Sequence, residues 1–326
     1  MAFPRRILIT TGDPDGIGWE VTAKALQTLG PKKDVQFFFY RDPRHAKDKP
    51  SVPKKFKHLV VSSLEQAQAA PFDSKTLVEI RSGKSPALWV EEAARACYKK
   101  LFAAMVTAPI SKTLIVEAGL HDIGHTEILA RVSGQRNLFQ GFIGAKFSVL
   151  LMTGHFALRD ALKHISADTL KTAIKAGLEM RELLPKAKRK LPLALVGLNP
   201  HAGEQGLLGG EEAWMKGVLE EINREQMLVA GPLVPDAAFL PQNWNKYSVY
   251  LTPYHDQGLI PFKMVHGFKG GVHLTLGLPF VRTSVDHGTA KELFGKNKAE
   301  SGSMKDAITT ALKLTEGEPL KRIAQY

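Results

Sequence analysis

Short runs of apolar, β-branched residues alternate with segments of helical period from one end of the chain to the other. That alternation predicts an α/β fold on a mainly parallel sheet. Residues 6–10 (RILIT) read as a buried strand, 12–18 (GDPDGIG) as a turn, and 20–29 as a helix with Val21, Ala25 and Leu26 inward. Further helices are predicted at 87–102, 167–184, 211–225 and 303–314, and a helix opening with GHTEILA at 124–130. No internal repeat or low-complexity segment interrupts the pattern.

The strand ends carry the chemistry. Residues 148–153 run into Gly154-His155, 193–197 into Leu198-Asn-Pro-His201, and 248–252 into Pro253-Tyr-His255. A fourth strand, 103–107, leads into Ala108-Pro-Ile-Ser-Lys112. Ligands of open α/β sheets bind beyond the carboxyl ends of the strands, where residues distant in sequence can meet. Three neutral imidazoles with open positions beside them suit a catalytic divalent cation. The residues alone also admit three unrelated loop histidines. His45, His58, His164 and His266 lack the strand-turn context and are read as surface or structural.

Other segments bear on anions. The start of the 124–130 helix, with unsatisfied backbone N–H groups beside His125 and Thr126, suits an anion or is a plain cap. The 12–18 turn lacks both G-x-G-x-x-G and G-x-x-x-x-G-K-[ST], so phosphate loop and tight structural turn stay open. Residues 275–290 (TLGLPFVRTSVDHGTA) crowd Arg, Asp, His and hydroxyls between glycines and apolar residues. There Arg282 can grip a carboxylate or phosphate by two N–H groups, and upstream Lys263 can act as a point charge or an acid/base group, although either alone reads as a solvated cation.

Composition narrows the class. With 326 residues, 44% hydrophobic, the chain can bury a full core, in two domains or one large unit. No stretch approaches the roughly 20 apolar residues of a membrane span, and no signal sequence is evident, which predicts a cytoplasmic, unprocessed protein. One cysteine, Cys97, excludes an internal disulfide and places any metal on histidines and carboxylates. The formal charge of +12 favours anionic partners. Its densest segments, 41–57 and 186–190, carry no nucleic-acid motif and read as solvated loops.

Taken together, residues 11–18, 108–112, 124–127, 197–204 (GLNPHAGE), 254–261 (YHDQGLIP) and 275–290 resemble the 4-hydroxythreonine-4-phosphate dehydrogenase family, in one order from about residue 5 to about 315. The resemblance implies an isocitrate/isopropylmalate dehydrogenase-like protein of two α/β/α domains with a cleft between them. The first would comprise 1–125 with 282–326, the second 126–281, carrying the metal-binding histidines and a homodimer interface. It implies that His155, His201 and His255 bind a divalent metal, zinc first, with cobalt, magnesium and manganese as other candidates, the ligands coming from both subunits. His125, Thr126, Lys263, His273 and Arg282 would contact a phosphorylated hydroxy amino acid, with Lys263 and His125 as catalytic groups. Asp286, His287, Gly288 and Thr289 would bind NAD or NADP.

The implied reaction is oxidation and decarboxylation to 3-amino-2-oxopropyl phosphate for pyridoxal phosphate synthesis, without nucleic-acid or membrane partners. Departures from the family pattern are His273 at a usual asparagine, Ser111, Pro253, and the polar continuation 291–294. They touch substrate choice, so dehydrogenases of other four-carbon acid phosphates, such as threonate or erythronate 4-phosphate, stand as the near alternative. A non-catalytic phosphometabolite-binding protein and a phosphate acyltransferase are alternatives of other kinds.

Overall fold

The computed structural model describes residues 4–45, 50–267 and 271–316. Its strands are β1 (Arg5–Thr10), β2 (Val35–Tyr40), β3 (Lys57–Val61), β4 (Thr76–Ile80), β5 (Ala104–Thr107), β6 (Phe139–Gly144), β7 (Ser148–Leu151), β8 (Leu193–Val196), β9 (Val229–Leu233), β10 (Tyr250–Thr252), β11 (Gly271–Leu276) and β12 (Val281–Ser284). The chain is α/β throughout, and it divides into two compact units. One holds the described residues up to Leu138 and those from Gly271 onward, and the other holds Phe139–Gly267.

In the first unit the strand order is β3-β4-β2-β1-β5-β12-β11. All neighbours are parallel except β11, which runs antiparallel to β12 with His273 opposite Ser284. The central strands read as unbroken apolar runs because both faces are covered. β2, VQFFFY, is buried at every position. The helix Pro86–Tyr98 supplies Trp89, Val90, Ala93 and Cys97 to the core beside Phe38, Tyr40 and Phe102. Cys97 is therefore a core residue, and burial pushes its thiol pKa up.

In the second unit the order is β6-β7-β10-β8-β9, parallel except for the β6–β7 pair. Phe147 anchors this core, with the rings of Phe239, Trp244, Tyr250, Phe262 and His266 all within 6.0 Å of it. Large buried side chains such as these each stabilise the fold by roughly 1.5–3 kcal/mol.

The sequence reading divides the chain at 125/126 and 281/282, whereas the units divide after Leu138 and after Gly267. The helix His125–Ser133 packs on Pro86–Tyr98, and β11 pairs with β12, so both belong to the first unit. The expected helices 87–102 and 211–225 end earlier, at Tyr98 and Ile222. The strand expected at 248–252 forms over Tyr250–Thr252, with Ser248 N and Val249 O still bonded to Pro192 O and Ala194 N.

Candidate active site

At the carboxyl edge of the first unit's sheet, adjacent strands bring a charge under cover. Arg282 on β12 is 2% exposed. Its Nη2 donates to Thr107 Oγ1 on β5 at 2.7 Å, and its Nη1 donates to Thr275 Oγ1 at 3.0 Å and His273 Nδ1 at 3.1 Å on β11. The alternation of side chains along a strand puts His273 and Thr275 on one face, as it does Arg282 and Ser284. Thr107 is fixed in turn by donating to Ser284 Oγ at 3.1 Å. No carboxylate lies among these partners, and among the described residues the buried Nε has no partner. Burial pushes the guanidinium pKa down to about 9, so the group stays charged at neutral pH at a solvation cost that an arriving anion would offset. The reading of Arg282 alone as a solvated cation is corrected: the β5–β12–β11 register encloses it.

His125 opens the helix His125–Ser133 after Gly124, which offers no side-chain cap. Its Nε2 is sealed from solvent and has no hydrogen-bond partner among the described residues. Burial first, then the charge of Arg282, lowers the ring's pKa to about 3, against a smaller pull from the Ala108 backbone that favours a proton. His125 is thus neutral in the unliganded protein. Thr126 is half-buried as the second residue of the same helix.

The 12–18 turn is a close-packed junction. A Cβ at Gly12 (φ 70°) would lie 2.1 Å from Pro109 O, and one at Gly18 would lie 1.9 Å from Thr11 O. Glycine is required there for backbone approach. Ile17 N donates to Thr289 O at 3.0 Å, which docks the turn on the 286–289 loop. Asp13 ties further segments together: Oδ1 accepts from Ser111 N at 2.8 Å, and Oδ2 lies 3.3 Å from Lys291 Nζ. Lys291 also donates to Asp15 at 2.9 Å. Within the loop, the Asp286 N–H is held by Ser303 Oγ at 3.1 Å, and His287 Nδ1 by Gly288 O at 2.8 Å. Beside this junction is a hollow lined by Thr11, Asp13, Trp19, Arg41, His45 and Phe294. Arg41 is no solvated loop cation, as the 41–57 reading has it: it is 2% exposed, with its guanidinium 4.1 Å above the Trp19 ring.

In the second unit β7, β10 and β8 are consecutive and parallel, so His155, His255 and His201 follow the same sheet edge. The rings of His155 and His255 lie 5.1 Å apart. Two imidazoles on one tetrahedral ion, bound at about 2.0–2.1 Å, place their ring centres about 5 Å apart. His255 Nδ1 donates to Asp256 Oδ1 at 2.7 Å, the bond that puts the ligand lone pair on Nε2. Gln140 Nε2 lies 3.3 Å from His155 Nδ1, and an exchange of its amide O and N would give His155 the same tautomer. This pair fits a divalent cation.

His201 does not join them. Among the described residues no group of three His, Cys, Asp or Glu side chains is assembled in one chain to hold a metal. His201 is exposed on a turn where residues 201–205 all have positive φ, at 53°, 53°, 75°, 43° and 59°. Left-handed backbone costs roughly 1–2 kcal/mol for each of the four that are not glycine, strain of a kind concentrated at functional sites. Lys263 is half-buried on the helix His255–His266, about two turns beyond His255.

Several of these residues escape the sequence reading. Asp13 sits in a recognised motif but gives no sign of its buried clamp, and Thr107 looks like any strand end. Arg41 follows a wholly buried strand and is hidden in a basic run. Glu212, buried behind the His201 turn, could have been found only by asking what that turn's backbone binds.

The comparisons place these edges in a known architecture. Isocitrate dehydrogenase from Methylococcus capsulatus matches over 95% of this chain and 85% of its own, with a TM-score of 0.50 and 13% identity, which establishes the α/β fold alone. The structure of 4-hydroxythreonine-4-phosphate dehydrogenase from Klebsiella pneumoniae is much nearer, with a TM-score of 0.77 and 28% identity over 97% and 99% of the two chains. The chain therefore has the isocitrate dehydrogenase type of α/β fold. Residues 12–311 match the pyridoxal phosphate biosynthetic protein PdxA, and 4-hydroxythreonine-4-phosphate dehydrogenase from Aquifex aeolicus is 35% identical over 93% of this chain and 96% of its own. The chain belongs to the PdxA family.

Proposed function

We propose that this chain catalyses the nicotinamide-dependent oxidation and decarboxylation of 4-phosphohydroxy-L-threonine to 3-amino-2-oxopropyl phosphate. The observation that carries the reading, within the family, is the buried Arg282, whose charge acts on the His125 ring, with Arg282 Nε and His125 Nε2 both unpartnered among the described residues, a site loaded for an anion before one arrives. Arg282 and Thr126 bind and orient the phosphorylated substrate, with His273, whose Nδ1 accepts from Arg282, beside them. His125 is a neutral acceptor until an anion offsets the Arg282 charge and raises its proton affinity. Either it or Lys263 takes the proton of the substrate hydroxyl.

Asp286, His287, Gly288 and Thr289 hold NAD, with NADP the other candidate, which supplies the hydride acceptor. His155, His255 and His201 would hold a divalent cation, zinc first, with cobalt, magnesium or manganese otherwise, which when bound acidifies the hydroxyl and steadies the ketone oxygen during loss of carbon dioxide.

The third ligand is proposed to complete the set across a homodimer. Exposed apolar side chains on the segments that carry the paired rings support that reading: Phe156 50%, Leu158 56%, Ile260 57% and Met264 81%. A cytoplasmic location accords with the absence, among the described residues, of a helix long and apolar enough to cross a membrane.

His273 favours a second reading. An imidazole bonded to Arg282 replaces an amide that could turn either end to the ligand, which suits a different four-carbon acid phosphate. NADH formation by metal-replete protein with 4-phosphohydroxythreonine, phosphothreonate and phosphoerythronate separates the two. Turnover of the first supports the main reading; efficient turnover of another with none of the first replaces it.

A further inference from the structure

The left-handed turn that carries His201 is held from behind by a buried carboxylate. Glu212, in the first turn of the helix Glu211–Ile222, is 3% exposed. Its Oε1 accepts from Leu198 N at 2.8 Å and from Asn199 N at 2.7 Å, the two residues leading into the turn. Its Oε2 accepts from Asn199 Nδ2 at 3.0 Å, and the same amide also donates to Glu211 Oε2 at 2.7 Å. The turn closes over this carboxylate: a Cβ at Gly203 would stand 2.6 Å from Glu212 Oε2. Burial alone would raise the Glu212 pKa, but the Leu198 and Asn199 donors more than offset it, and the carboxyl lies below its usual range. A full negative charge in this position holds donors that a helix interior or a second strand would otherwise have to satisfy.

We propose that Glu212 is a positioning residue for His201: by fixing the backbone at 198–199 and seating Gly203, it holds the strained turn in the one conformation that presents the imidazole. The proposal rests on reading His201 as a metal ligand. Groups that orient metal ligands typically contribute about 10–100-fold to metal affinity. The test is Co²⁺ binding to the full-length protein, read by the ligand-field absorption of the ion and by equilibrium dialysis. E212A is expected to weaken Co²⁺ by about 10–100-fold. E212Q, which keeps Oε1 as acceptor for both backbone N–H groups, is expected to lose only a few-fold. In an H201A background E212A should add nothing, because the two substitutions then remove one interaction.

A tenfold further loss in that background would show that Glu212 acts on the fold at large and would overturn the proposal. So would an E212A protein that binds as tightly as wild type. H201A with unchanged affinity would overturn the ligand reading itself, and the proposal with it. A loss in E212A beside an intact effect of H201A keeps the two failures distinct. Should E212A not fold, N199A, which removes the amide clasp while leaving the carboxylate, carries the same cycle with a smaller expected loss.

Discussion

The two sheet edges use histidine in opposite ways. In the first unit His125, with its Nε2 sealed, is neutral and set against a buried guanidinium whose hydroxyl and imidazole partners come from the two strands flanking its own. In the second unit His155 and His201 are exposed and His255 is partly so, and two of the three rings meet. The first edge is organised within one chain because burial leaves its polar groups few alternatives. The second presents ligands at the surface, where strained backbone and flanking side chains hold them. A buried charge should respond to substitution through binding and electrostatics, and exposed imidazoles through metal affinity with little effect on folding.

The largest expected effect is at Arg282. Arg282→Met should lower kcat/KM for the phosphorylated substrate by about 10³-fold or more, since a charge-assisted fork is lost. The unliganded protein should melt only slightly lower, because relief of the buried charge's desolvation offsets the donors that Thr107, Thr275 and His273 lose, about 0.5–1.5 kcal/mol each. Steady-state kinetics beside thermal unfolding checks both halves. A large fall in melting temperature would mean that the guanidinium is chiefly structural.

Next come His155→Ala and His255→Ala. Each should weaken divalent metal binding by at least about 100-fold in chelator competition while leaving the apo melting temperature nearly unchanged, because exposed substitutions seldom exceed about 0.5 kcal/mol. Equal metal affinity in either variant would remove the paired rings from the site.

His125 gives a pH signature. Its pKa is lowered from 6.5 to about 3 in the folded protein, so between those values the unfolded chain binds a proton that the folded chain does not. The stability contribution is therefore complete above pH 6.5 and is lost as pH falls toward 3, by about 1.4 kcal/mol per unit. Urea unfolding at pH 7 and pH 5 should show wild type losing about 2 kcal/mol more than His125→Gln over that interval. Parallel losses would place the ring in contact with solvent.

Lys291→Ala should have the smallest effect. Its side chain is 48% exposed, and ion pairs of that kind contribute about 0–1 kcal/mol. A rise of a few-fold in KM for NAD at low salt, vanishing at high salt with kcat unchanged, would tie Lys291 to docking the 12–18 turn on the cofactor loop. A salt-independent change would argue for packing instead.

The sequence by itself determined the alternation of strand and helix, the placing of histidines after β7, β8 and β10, and the glycines of the 12–18 turn. These follow from local periodicity and from backbone geometry that only certain residues adopt. The family blocks were equally legible, since their residues are contiguous. Tertiary structure decided which polar groups lost water. Arg282 and Arg41 look like surface cations in the chain and are buried, one by strand register and the other by an indole ring. Asp13 and Glu212 gained their roles from backbone N–H groups 98 and 13–14 residues away, which carry no side-chain signal. The unit boundaries and the separation of His201 from its two companions were likewise settled by pairing and packing, because strand neighbours and desolvation are properties of distance in space that sequence order does not encode.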